Sequence, residues 1–157
     1  WESTSFKERW SLPPPRAFAV VWSSGRRSTK PGFKMEKGRR ILCFEDEAII
    51  ALGLKMDLLM AGYHVCGILA TARDALEIVK RERPDLIIMD IQLVGHEDGI
   101  EAAKEILEVF PLPIIFMTGY PDREVMERAE RLHPAAILLK PTYFPALLDA
   151  IEKVFSS

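Results

Sequence analysis

Five short apolar runs, at residues 41–44, 65–69, 86–89, 114–117 and 135–139, restrict the fold of this chain more than any other feature. Each is nearly continuous rather than alternating, as expected for strands covered on both faces. Segments of helical period separate them. Ala72, Ala75, Leu76 and Val79 form one stripe, opened by a capping box from Thr71 to Asp74 and stopped before Pro84. Ile100, Ala103, Leu107 and Phe110 form a second, and Val125, Ala129 and Leu132 a third. Leu147, Ile151, Val154 and Phe155 form the last, while residues 48–61 predict a broader apolar helix ending at Gly62. Five strands alternating with five helices, joined by right-handed crossovers, make a parallel sheet with helices on both faces.

A sheet of this kind carries its chemistry at the carboxyl ends of its strands, near the topological switch point. The first run leads straight into Glu45-Asp46-Glu47 and the third into Asp90. The fourth leads into Thr118-Gly119 and the fifth into Lys140-Pro141. Singly, each has an ordinary structural explanation: a helix cap, a turn residue, a solvated strand end. Their joint arrival at one rim calls for a chemical one. Clustered carboxylates repel one another and demand a cation, and hard oxygen ligands suit Mg²⁺ better than zinc or copper. Such an ion together with Lys140 could neutralise an incoming phosphoryl group while one carboxylate attacks phosphorus. Thr118 could then hydrogen-bond a phosphoryl oxygen.

Charge divides the chain into unequal parts. Through Arg39 there are nine Lys/Arg against three Asp/Glu, a balance of +6; from Arg40 onward there are twelve against twenty, a balance of −8. The acidic body argues against direct nucleic-acid binding, which needs cations to neutralise phosphates. Residues 1–38, with Pro13-Pro14-Pro15, Ser23-Ser24-Gly25 and Lys30-Pro31-Gly32, are read as a weakly ordered basic leader, and 39–157 as the folded domain. Met35 is a candidate natural start. Cys43 and Cys66 lie inside apolar runs without metal-ligand spacing, so buried free thiols and a reducing cytoplasmic location are expected. No apolar stretch approaches the roughly 20 residues that a membrane helix requires.

The run Ile41-Leu42-Cys43-Phe44-Glu45-Asp46-Glu47, the run Asp85-Leu86-Ile87-Ile88-Met89-Asp90, Thr118 and the pair Lys140-Pro141 together resemble the response-regulator receiver domain of two-component signalling. The match in order and spacing covers about residues 40–155. The resemblance implies a doubly wound, flavodoxin-like (βα)5 fold with strand order 2-1-3-4-5. It also implies that Asp90 accepts phosphate from a histidine kinase, a phosphotransfer protein or a small phosphodonor. Glu45, Asp46 and Asp90, with the backbone carbonyl of Gln92, would hold Mg²⁺. Lys140 would pair with the phosphoryl group, Lys140-Pro141 would be a cis peptide, and Thr118 would swing toward the phosphate.

The resemblance has departures. Receivers usually carry an aromatic residue on the fifth strand, where Ile137 stands here. Phe116-Met117-Thr118-Gly119-Tyr120 instead resembles a receiver subgroup with Phe-Ala-Thr-Gly-Tyr at this place, which makes Tyr120 the expected moving aromatic. Val94 stands where many receivers have proline, and Thr142 where many have an aromatic that Tyr143 or Phe144 would replace. His64, His96 and His133 form no visible ligand cluster in the sequence. The expected function is a regulatory phosphoacceptor rather than an enzyme, signalling to a downstream protein through the face of the fourth helix, fifth strand and fifth helix. A homodimer is compatible with this. The end at Ser157 favours a stand-alone receiver over the receiver portion of a hybrid kinase. A phosphorylation-independent interaction module is the alternative. An aspartyl-nucleophile hydrolase is disfavoured because Gln92 occupies the position of its second acid.

Overall fold

Residues 38–93 and 98–157 are described in a computed structural model of the chain, and all belong to one unit, Lys34–Ser157. The readings made for the leader, for Val94 and for His96 fall outside the described residues. The elements alternate as β1 (Arg40–Phe44), α1 (Ala48–Met60), β2 (His64–Leu69), α2 (Ala75–Glu82), β3 (Leu86–Asp90), α3 (Gly99–Val109), β4 (Ile114–Thr118), α4 (Arg123–Glu130), β5 (Ala136–Leu139) and α5 (Phe144–Ser156). All strand pairs are parallel, in the order β2-β1-β3-β4-β5.

The continuous apolar runs resolve into two faces. Leu42, Phe44, Ile87, Met89, Ile114 and Phe116 point to one side, where Ala75 and Val79 of α2, Ile100, Ala103 and Ile106 of α3 and Ala129 of α4 cover them. Ile41, Cys43, Leu86, Ile88, Ile115 and Met117 point to the other, against Leu54 and Leu58 of α1 and Leu147 and Ile151 of α5. Period-two alternation is thus present, hidden because both faces are apolar. Each fully buried Leu, Ile or Phe contributes about 1.5–3 kcal/mol of burial energy. Burial also pushes the Cys43 thiol far above its ordinary range, with the nearby Cys66 and Glu45 adding to the effect.

Two local readings need correction. No capping box opens α2: Thr71 Oγ1 accepts from the Arg73 N–H at 3.3 Å, and the helix begins at Ala75 after Asp74, which takes a left-handed φ of 59°. The side chain of Thr71 is spent on its own turn and does not reach the helix. In α3 the third buried position is Ile106, while Leu107 and Phe110 are only partly buried, because Phe110 has already left the helix as its C-cap.

α1 ends at Met60 with Gly62 at φ 90°, a left-handed turn suited to glycine. Mid-helix Gly53 has no such requirement: an added Cβ would meet nothing within 4 Å. Gly53→Ala is therefore expected to stabilise the fold by about 0.5–1 kcal/mol, roughly 3–5 °C in Tm by thermal denaturation. No helix of the described residues is long and apolar enough to cross a membrane.

Candidate functional site

Register brings the polar strand ends together. Phe44 of β1 is level with Met89 of β3, so the next residues, Glu45 and Asp90, emerge side by side at the switch point between the two central strands. Asp90 is level with Met117, one residue before Thr118. Thr118 is level with Leu139, and its carbonyl accepts from the Lys140 N–H at 2.8 Å. Four crossovers thus deliver an acid pair, an acid, a hydroxyl and an ammonium to one rim.

Burial distinguishes these groups. Glu45, Asp90 and Thr118 are the buried polar residues among those described, at 2%, 4% and 1% exposure. Lys140 Nζ donates to Asp90 Oδ2 at 2.5 Å and lies 2.6 Å from Glu45 Oε2. The latter contact has ion-pair distance without hydrogen-bond geometry, so Glu45 Oε2 has no hydrogen-bond partner. Backbone amides serve the remaining oxygens: Gln92 N–H donates to Asp90 Oδ1 at 2.9 Å, and Glu47 N–H to Glu45 Oε1 at 3.1 Å. Burial pushes the Glu45 carboxyl above its ordinary range despite the lowering influence of Lys140. Burial also opposes the charge on Lys140, but the hydrogen bond to Asp90 and the nearby Glu45 carboxylate prevail and raise it. The two shifts have different sources: burial dominates at Glu45, whereas the two neighbouring carboxylates dominate at Lys140.

Ligand oxygens of Glu45, Asp46 and Asp90 all lie within 4.8 Å of one another. Three carboxylates, with Glu45 Oε2 among their oxygens lacking a hydrogen-bond donor, make a donor set that fits a hard divalent cation. Gln92 is exposed, pairs with Asp98 in an isolated bridge and lines the cleft above Asp90. That cleft measures about 590 Å³, and Asp46, Asp98, Tyr120, Arg128 and Lys140 also line it. The peptide Lys140-Pro141 is cis.

Thr118 and Tyr120, the residues expected to move, occupy contrasting environments. Thr118 Oγ1 accepts from the Tyr120 N–H at 3.1 Å, while Tyr120 is 68% exposed at the edge of the cleft. Ile137 pairs with Phe116 and packs against its core cluster. Of the two aromatics proposed to replace the one absent at Thr142, Phe144, the first residue of α5, is half-buried against the core and Tyr143 stays exposed. Thr142 Oγ1 donates to the Leu139 carbonyl at 3.1 Å. His64 and His133 are exposed and join no cluster of metal-ligating side chains among the described residues.

Two contributors escaped the reading of the sequence. Gly99 opens α3 so close to β3 that a Cβ would stand 2.1 Å from the backbone oxygen of Asp90. The glycine was visible in the sequence, but its neighbour was not. Arg128 of α4 bonds Asp98, whose carboxylate also accepts from Ile100 N–H as the α3 cap, and reaches Glu101 at 3.2 Å. Hydrogen bonding to Asp98 raises the Arg128 guanidinium above its already high range. No local pattern marks a partner thirty residues away.

Residues 41–152 match the response regulator receiver domain family. The transcriptional regulatory protein PdtaR of Mycobacterium tuberculosis is 37% identical over 118 residues, covering 75% of this chain and 57% of that protein. The phyllosphere-induced regulator PhyR of Methylorubrum extorquens is 38% identical over 112 residues, 71% of this chain and 41% of that protein. The chain thus spans about half the length of these curated relatives. Among solved structures, the signal receiver domain of a modulated diguanylate cyclase from Desulfovibrio desulfuricans G20 superposes with a TM-score of 0.69 at 35% identity, covering 73% of this chain and 91% of that one. With the strand order, the polar rim and these likenesses in agreement, the chain belongs to the response regulator receiver domain family.

Proposed function

We propose that this receiver is a phosphorylation-driven switch with Asp90 as phosphoacceptor, acting as a regulatory module and not as an enzyme on separate substrates. One observation carries the reading. Asp90 ends a central strand almost fully buried, with Lys140 Nζ at 2.5 Å and two further carboxylates grouped around it. Glu45, Asp46 and Asp90, with the Gln92 carbonyl, would hold Mg²⁺, which when bound supplies positive charge against the phosphoryl oxygens. An Asp90 carboxylate oxygen attacks the donor phosphorus. An O–P bond forms as the P–N bond of a phosphohistidine, or the P–O bond of acetyl phosphate, breaks, and the leaving group takes its electron pair. Lys140 pairs with the transferred group, and the Thr118 hydroxyl, which accepts from the Tyr120 N–H, donates its own proton to a phosphoryl oxygen.

The added charge biases the Thr118–Tyr120 segment and, through it, the face formed by α4, β5 and α5, where a downstream protein would dock. A histidine kinase or phosphotransfer protein is the expected donor, and a cytoplasmic location follows from that role. Incubation with Mg²⁺ and acetyl phosphate is expected to add one phosphoryl group by intact mass, and Asp90→Asn to add none. Absence of an adduct on the wild-type chain with several small donors would leave a phosphorylation-independent module instead. Tyr120→Ala is expected to form the adduct normally yet weaken binding of the phosphorylated chain to its output partner about tenfold, or 1.4 kcal/mol. Unchanged binding would reduce Tyr120 to a cover for the rim.

A further inference from the structure

We infer that Arg128 is a second cationic ligand for a phosphoryl group on Asp90, held in reserve at the rim of the cleft by Asp98. The inference rests on the reading of Asp90 as phosphoacceptor. Among the described residues that line the cleft, Lys140 and Arg128 are the cations, against Asp46, Glu47, Asp90 and Asp98. Lys140 is already engaged by Asp90 and Glu45. A phosphoryl group brings about two negative charges and three acceptor oxygens. A guanidinium offers it paired donors in a planar fork, which an ammonium lacks.

The contact that holds Arg128 can be given up at low cost. Asp98 divides its oxygens: Oδ1 accepts from the Ile100 N–H at 2.9 Å and caps α3, while Oδ2 accepts from Arg128 Nη2. Departure of the guanidinium therefore leaves the cap intact, and the amino end of α3 still stabilises the carboxylate. The side chains of Arg128 and Asp98 are 32% and 31% exposed, so water replaces the lost partner. The second contact, at 3.2 Å, reaches Glu101, whose side chain is 59% exposed, and adds little.

α4 is placed to follow its arginine. The helix has eight residues and fully buries Ala129 alone, with Val125 half-buried against the core. Arg128 is thus its charged tie to α3. When the guanidinium turns to the phosphoryl group, that tie is lost and α4 is free to shift. The output face then receives a charge-driven movement of α4 beside that of the Thr118–Tyr120 segment.

Initial rates of phosphoryl uptake from acetyl phosphate with Mg²⁺, read by intact mass, test this with two neutral variants that act in opposite directions. Arg128→Gln removes the ligand and is expected to slow uptake about tenfold, with Arg128→Lys recovering part of the loss. Asp98→Asn keeps a capping oxygen but not the charge, so it frees the guanidinium and should speed uptake about threefold. A gain in rate cannot come from a damaged fold. Amide exchange of α4 gives a second readout: phosphorylation is expected to speed it in the wild type, whereas Arg128→Gln exchanges fast beforehand and does not respond. Two variants that loosen α4 alike while taking up phosphate at the wild-type rate would overturn the inference and reduce Arg128 to a structural tie. Slower uptake in both Arg128→Gln and Asp98→Asn would overturn it as well, because the intact pair and not the freed guanidinium would then be required. A wild-type chain that takes no phosphoryl group removes the acceptor reading itself, and this inference with it.

Discussion

Gly99→Ala is expected to lower stability by about 3 kcal/mol, roughly 10 °C in Tm, and to slow phosphoryl uptake at Asp90. The new Cβ would lie 2.1 Å from the Asp90 carbonyl oxygen and 3.1 Å from Ile91 Cα, so backbone must yield on one side. Neither side yields easily. Gly99 N–H donates to the Ile91 carbonyl at 2.9 Å, and Ile91 N–H in turn donates to Met117 of β4 at 2.9 Å. Alanine gains at most about 1 kcal/mol of helix propensity in return, too little to offset the overlap. Gly119→Ala is the matched control, because nothing lies within 4 Å of its added Cβ. Denaturant unfolding of the two variants decides the matter. A Gly99→Ala protein as stable as Gly119→Ala would mean that the β3–α3 junction has room to spare.

Lys140→Met is expected to cost about 3 kcal/mol in chelator at neutral pH, because it leaves two buried carboxylates without their shared cation. The side chains concerned are 11%, 6% and 0% exposed for Lys140, Asp90 and Glu45, so solvent does little to screen the loss. Methionine preserves most of the stem volume, which makes the effect electrostatic more than steric. Added Mg²⁺ should recover part of the stability, in proportion to ligand excess over its Kd. Thermal melts with and without Mg²⁺ separate these contributions. Equal Tm values for variant and wild type in chelator would show that protonation of Glu45 relieves the cluster at negligible cost.

Much of the architecture is legible in the sequence. β1, β3 and β4 read as unbroken apolar runs because each is buried on both faces, and their period-specific composition needs no knowledge of partners. The polar residues at their ends were equally plain, and the rule that places chemistry at those ends grouped them correctly. Less was legible at the helix starts. Thr71 satisfied a capping pattern, yet its hydroxyl was taken by a local turn, a competition that residue type alone does not resolve. The helix at residues 48–61 was recognisable as broadly apolar, but nothing local distinguished buried Leu58 from exposed Met60.

The sequence by itself determined the alternation of strands and helices and the five polar residues that end the strands, because burial periodicity and strand termination are local properties. Tertiary structure alone decided which acids are buried. Glu45 is 2% exposed and Glu47, two residues later, is exposed, since only the former faces Asp90 across the switch point. It alone decided that Lys140 reaches Asp90 over a separation of fifty residues, that Gly99 abuts the Asp90 carbonyl and that Arg128 holds Asp98. It also decided which side of α1 is left uncovered. The physical reason is shared: crossover geometry brings together groups whose spacing along the chain carries no information about their spacing in space.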